Sequence, residues 1–144
     1  MSKERTVGWR EWIRFPELTQ TPIKAKLDTG AKSSALHAPT LSTFSDGQGE
    51  WAEFVLRPRQ RSKIGEINVS LPIKHWITVK SSNGQIETRP VVEITCELGS
   101  EKLNIDVTLT RRYKMTYRCL LGRDALKNKF AVSPGKSFTA GKPG

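Results

Sequence analysis

The chain has 144 residues, with 24 lysines and arginines against 14 aspartates and glutamates, a formal charge of +10, and 36% hydrophobic side chains. That is enough apolar mass for one core in a single domain, and no run of about 18 apolar residues offers a membrane-spanning helix. Met1-Ser2-Lys3-Glu4-Arg5 is not followed by the apolar stretch of a secretion signal, so the chain is expected in the cytoplasm, with Cys96 and Cys119 as reduced core thiols.

Residues 7–14 alternate loosely and carry Trp9, Trp12 and Ile13, a half-buried strand that Phe15-Pro16-Glu17-Leu18 breaks. Residues 21–27 resume the alternation. Ile23, Ala25 and Leu27 share one face, Lys24 and Lys26 the other, and the strand delivers the chain to Asp28. Beyond Ser33-Ser34-Ala35-Leu36-His37 comes a stretch rich in Ser, Thr, Gly and Pro, with Asp46-Gly47-Gln48-Gly49 as a turn before a strand over residues 51–56. Residues 58–62 are basic and aperiodic and are expected to form an exposed, mobile loop.

Residues 75–79 and 86–92 flank Ser81-Ser82-Asn83-Gly84. Asn-Gly between two β-rich runs predicts a hairpin with its tip near Gly84. Residues 91–98 and 103–109 predict a further strand pair around Gly99-Ser100, and residues 117–121 one more strand. Only residues 124–129 read as helical, before a returning strand at 130–132. Several short strands with one short late helix predict an all-β fold, a small closed β-barrel. Residues 1–136 are expected to form the domain, and residues 137–144, rich in Gly, Lys and Pro, a flexible C-terminal tail.

Two motifs carry the chemistry. Asp28-Thr29-Gly30-Ala31 follows an apolar strand, and Leu120-Leu121-Gly122-Arg123-Asp124 comes later. Together they resemble the retropepsin pattern of aspartic peptidases, in which Asp-Thr-Gly-Ala holds the catalytic carboxylate and a later Gly-Arg packs behind it. The chain also resembles, in Val7-Gly8-Trp9-Arg10-Glu11-Trp12, in residues 26–38 and in Val107-Thr108-Leu109-Thr110, a bacterial retropepsin-like family labelled ATP-dependent zinc proteases. That family is associated with ATP-grasp ligases that add glutamate to proteins.

The resemblance implies roles. Asp28 would be the catalytic acid and base, Thr29 would brace two loops across a dimer, and Gly30 would admit substrate close to the carboxylate. Ala31 and Lys32 would line the substrate, under a flap over residues 74–92 whose tip holds Asn83 and Gly84. Gly122 would pack against the catalytic loop, and Arg123 would hold it by charge-assisted hydrogen bonds. Residues 39–70 would be an insertion relative to the shortest viral enzymes. Viral retropepsins often place an acid just after this loop, where this chain has Lys32 and Ser33. A charge swap is therefore expected, with Asp124 or a more distant acid stabilising Arg123 and Lys32 facing acidic substrates.

One Asp-Thr-Gly per chain means that a two-carboxylate site needs two chains, hence an expected homodimer. Four scattered residues, His37, Cys96, Cys119 and His75, offer no clustered metal ligands, and Gly135-Lys136-Ser137 lacks the first glycine of a phosphate loop. Neither metal nor cofactor is expected. His37 is read as a packed histidine.

The basic excess suggests an anionic partner or substrate. It is densest over residues 111–129, where Arg111, Arg112, Lys114, Arg118, Arg123, Lys127 and Lys129 face the single acid Asp124. The functional expectation is an aspartic peptidase acting on a peptide or glutamate-rich extension. The alternatives are a binding module regulating an ATP-grasp glutamate ligase, or a basic RNA- or ribosome-binding domain.

Overall fold

A computed structural model describes residues 4–60, 62–80, 83–111 and 116–141. Among the described residues the chain is nearly all β, with one single-turn helix. In chain order it runs β1 (Arg5–Arg14), β2 (Ile23–Leu27), β3 (Ser34–His37), β4 (Ser42–Asp46), β5 (Gly49–Leu56), β6 (Ile67–Pro72), β7 (His75–Lys80), β8 (Ile86–Leu98), β9 (Glu101–Thr110), β10 (Cys119–Leu121), α1 (Arg123–Leu126) and β11 (Phe130–Ser137).

Eight strands form one sheet in the order β11, β1, β2, β10, β3, β9, β8, β7. A further pairing of Ile13 with Leu98 and of Arg14 with Glu97 joins β1 to β8, so the sheet closes on itself through six strands. Arg14 and Glu97 also form an ion pair at 2.7 Å across this seam. Inward alternation builds the core: Ile23, Ala25 and Leu27 from β2, Ile94, Cys96 and Leu98 from β8, and Leu103, Ile105 and Val107 from β9 are all buried. Both cysteines are free and buried there.

Strands β4, β5 and β6 make a separate three-stranded sheet. β4, β5 and the first four residues of β6 fall within the segment read as an insertion, residues 39–70, and the sequence resolved only β5. All five residues of β4 are exposed, so no apolar alternation marks it. Strands β7 and β8 form the hairpin expected from Asn83-Gly84, with Lys80 opposite Ile86. Ser81 and Ser82, read as part of its turn, lie outside the described residues. β8 is one continuous strand of 13 residues rather than two, serving the hairpin with its first part and the closed sheet with its second.

Two loops expected to be free are tied down. Pro58 is buried, the Arg59 carbonyl accepts from Arg118 Nε at 3.3 Å, and Gln60 Nε2 donates to the Thr116 carbonyl at 2.6 Å, so residues 58–60 are packed rather than exposed throughout. Arg61 lies outside the described residues. At the other end Phe138 N–H donates to the Arg10 carbonyl. Thr139 and Ala140 reach the fully buried Glu11, whose carboxylate accepts from the Gly8 N–H at 2.6 Å, the Thr139 N–H at 3.0 Å and hydroxyl at 2.9 Å, and the Ala140 N–H at 3.0 Å. A buried carboxylate needs such donors to offset its lost hydration. Residues 138–140, read from composition as loose, are anchored by these bonds to Arg10 and Glu11; residues 142–144 lie outside the described residues.

Candidate active site

The Asp28 loop spans the gap between β2 and β3, and β10 fills that gap. Leu121 lies beside Leu27 in a parallel pairing, while Leu120 lies beside Ala35 in an antiparallel one. The short β10 therefore runs between the two strands that carry the loop, and its continuation must pass under residues 28–33. Gly122 makes that passage possible. A Cβ there would stand 2.5 Å from the Ser33 carbonyl oxygen and 2.9 Å from that of Ala31, both backbone atoms with no freedom to yield.

The loop is held at several points. Asp28 N–H donates to the Leu121 carbonyl at 2.8 Å, and Ala31 N–H to the Asp28 carbonyl at 3.2 Å. From behind, Arg123 N–H donates to the Ala31 carbonyl at 2.8 Å and Asp124 N–H to the Lys32 carbonyl at 2.9 Å. Arg123 Nη1 donates to the Thr29 carbonyl at 2.9 Å. Ser34 completes the set, its buried hydroxyl accepting the Gly122 N–H at 3.1 Å. Ser34 was not singled out in the sequence. The signal available was a hydroxyl at an inward position, two residues before the buried Leu36.

Asp28 itself is half-buried, and its Oδ1 accepts the Gly30 N–H at 2.9 Å. This local bond fixes the plane of the carboxylate at the rim of the loop. Thr29 and Gly30 are exposed beside it. The arrangement presents one oriented acid and an adjoining hydroxyl on the surface, backed by a rigid support.

Arg123 bonds a backbone carbonyl, and among the described residues no acid forms an ion pair with it, so Asp124 does not take the stabilising role expected of a charge swap. Asp124 contributes through its backbone N–H. Its side chain is exposed and, with Lys32, Lys74, Asp106 and Lys127, lines a shallow depression of about 520 Å³. There Lys74 meets Asp106 at 3.0 Å and Glu93 at 3.5 Å, pairs that raise the lysine pKa. Lys32 thus faces a depression of mixed charge.

The structure brings Asp28, Thr29, Gly30, Ala31 and Lys32 together with Gly122, Arg123 and Asp124. Asn83 and Gly84 stand apart from this cluster in sequence and element, in the β7–β8 turn, where Asn83 Oδ1 accepts the Gln85 N–H and Gly84 has a positive φ of 86°. His37 is buried at the end of β3. Three arginines of the basic stretch bond backbone carbonyls. Arg111 donates to the Leu41 carbonyl, Arg118 to Arg59 and Arg123 to Thr29, and burial together with nearby Arg57 lowers the Arg118 pKa. Arg112 and Lys114 lie outside the described residues. Among the described residues no three His, Cys, Asp or Glu side chains gather to hold a metal ion.

A nearly all-β sheet closed on itself, with an Asp-Thr-Gly loop backed by Gly-Arg, defines a retropepsin-like domain. Residues 6–143 match the family described as "RimB-like: Retropepsin-like aspartic endopeptidase RimB", and the chain belongs to it. Among curated relatives, it is 38% identical over 136 residues to a protein of Shewanella halifaxensis named "Probable alpha-L-glutamate ligase". A Desulfotalea psychrophila protein of the same name is 32% identical over 139 residues. These alignments cover 94% and 96% of this chain but only 30% of each relative. The crystal structure of a Legionella pneumophila protein of unknown function superposes with a TM-score of 0.80 at 30% identity, covering 96% of this chain and 100% of that one.

Proposed function

We propose that this chain is an aspartic peptidase that works as a homodimer, with one Asp28 from each copy forming the catalytic pair. The observation that carries the reading is the half-buried Asp28 carboxylate, oriented by the Gly30 N–H on a loop braced by Gly122 and Arg123. The chain has one such loop, so a second carboxylate must come from a second chain.

With the two carboxylates about 3 Å apart, one proton is shared, because both cannot ionise cheaply. The ionised carboxylate takes a proton from water as the water oxygen attacks the scissile carbonyl carbon. The protonated partner gives its proton to the carbonyl oxygen. Collapse of the tetrahedral diol then breaks the C–N bond, with a proton passing to the leaving nitrogen, and yields a carboxylic acid and an amine. Thr29, exposed beside Asp28, is placed in this reading at the junction of the two loops.

The proposed substrate is a peptide or glutamate-rich extension. The excess of ten positive charges supports an acidic substrate. So does the occurrence of related sequence within larger proteins named as glutamate ligases, since a hydrolase and a ligase of one bond are natural companions. That same occurrence favours a second reading, in which the domain docks onto or regulates such a ligase without hydrolysing anything. Asp28→Asn separates the two: it should abolish cleavage of a glutamate-tailed protein and leave ligase binding intact. Light scattering across a concentration range tests the dimer directly, and a strict monomer at all concentrations would remove the two-carboxylate mechanism.

A further inference from the structure

We propose that Arg89 and Arg111, which face one groove beside the β7–β8 hairpin, form a subsite for a side-chain carboxylate of an acidic polypeptide. This rests on the peptidase reading only for where the bound chain would be cut. The groove measures about 410 Å³, and Trp76, Ile86, Pro90 and Leu109 supply its apolar walls. β8 pairs with β9 from Val91 onward, whereas residues 86–90 pair only with β7. The hairpin therefore projects past the end of the sheet, and Arg111 follows the last residue of β9 where it does so.

Arg89 is the reason to expect a ligand. Its Nε is the one buried side-chain nitrogen or oxygen without a hydrogen-bond partner among the described residues. A guanidinium keeps its charge at any ordinary pH, so the unpaired N–H leaves a desolvation cost uncompensated within the chain, while the accessible part of the side chain, 17% of it, lines the groove. Its contact with Glu87 is long, 3.4 Å, and the Glu87 side chain is 60% exposed. Such a pair is weak and easily displaced. Arg111 is steadied through one Nη on the Leu41 carbonyl. Five N–H donors per guanidinium leave capacity for a carboxylate gripped by two parallel bonds.

Apolar walls suit the methylenes of a glutamate side chain. Trp76 is 40% and Ile86 70% exposed, surface that a bound stem would cover. The neighbouring strand favours a polypeptide over RNA. β7 is the edge of the eight-stranded sheet, and its outward backbone groups can pair with an extended chain but not with a nucleotide backbone.

The subsite also has a position. β3 leaves the Asp28 loop at Ser34 and runs parallel to β9 until His37 lies opposite Thr110. At roughly 3.3 Å per residue, Arg111 stands about 10–13 Å along the sheet from Ser34, three to four residues of an extended peptide. The two arginines are specificity-determining residues for an acidic side chain of the bound polypeptide away from the cut bond.

The test measures binding of fluorescein-labelled hexaglutamate, and of a matched peptide with glutamine in place of glutamate, to the full chain carrying Asp28→Asn. Arg89→Lys, which keeps charge but loses the fork, and Arg111→Gln are then added singly. The expected result is a loss of hexaglutamate affinity of about tenfold or more in each, with binding of the glutamine peptide unchanged. Equal affinity for the two peptides, or undiminished hexaglutamate binding by a folded Arg111→Gln chain, overturns the subsite. So does a defect confined to labelled polyuridylate. If Arg89→Lys lowers the melting temperature, the exposed Arg111 decides alone. Arginine-dependent binding without cleavage by the unsubstituted chain would sink the peptidase reading and leave the subsite standing.

Discussion

Gly122 and Ser33 approach so closely that no side chain fits between them: a Cβ on Gly122 would lie 2.5 Å from the Ser33 carbonyl oxygen. Because the obstacle is backbone, Gly122→Ala must displace the Asp28 loop or the start of α1. The expected cost is about 2 kcal/mol in urea unfolding, together with loss of peptidase activity. Wild-type stability in this variant would show that the loop can retreat freely and is no rigid support.

Arg123 reaches across 94 residues of sequence to the Thr29 carbonyl, yet it is exposed. Arg123→Ala should therefore alter stability by no more than about 1 kcal/mol. Misplacing Asp28 by a fraction of an ångström is a different matter, and kcat/KM on a glutamate peptide should fall about 100-fold. Steady-state kinetics beside a denaturant titration distinguishes the two effects; equal kinetics in the variant would make the bond incidental.

Glu11 accepts four hydrogen bonds in a fully buried setting. Glu11→Gln replaces one acceptor oxygen by a donor facing other donors, at an expected cost of about 3 kcal/mol. Amide exchange at Thr139 and Ala140 should accelerate before exchange in β8 and β9 does. Unchanged protection at those two amides would show that β11 is held by its pairing with β1 alone.

Burial raises the Cys96 pKa to about 12 and that of Cys119 well above the ordinary thiol value of 9.0. In the folded chain both should resist alkylation at pH 8 and react only in denaturant. Above about pH 9 the unfolded thiols release protons while the folded ones keep theirs, so each thiol lowers stability by about 1.4 kcal/mol per pH unit until its folded pKa is reached. A Cys96→Ser, Cys119→Ser chain should lose part of that alkaline decline in a series of melts from pH 8 to pH 11. An identical decline in both chains would assign it to other groups.

Alternation was legible wherever a strand has one buried face. β2 has buried Ile23, Ala25 and Leu27 against less buried Lys24 and Lys26. Three strands escaped such reading for physical reasons. β4 is exposed at every residue, β6 buries only Val69 among its six, and β3 has four residues, of whose three buried ones two, Ser34 and His37, are polar. Hydrophobic periodicity cannot mark a strand that buries little or buries polar groups held by hydrogen bonds.

By itself the sequence determined an all-β domain, a single Asp-Thr-Gly loop at the end of an apolar strand, and a Gly-Arg pair after a later one, since each is written in neighbouring residues. Only the tertiary structure decided that β10 slips between β2 and β3 to set Gly122 under Ser33, that Glu11 holds residues 139–140, and that Arg89 and Arg111 face one groove. Those meetings depend on strand order and register, which arise from packing the whole core and leave no local pattern in the chain.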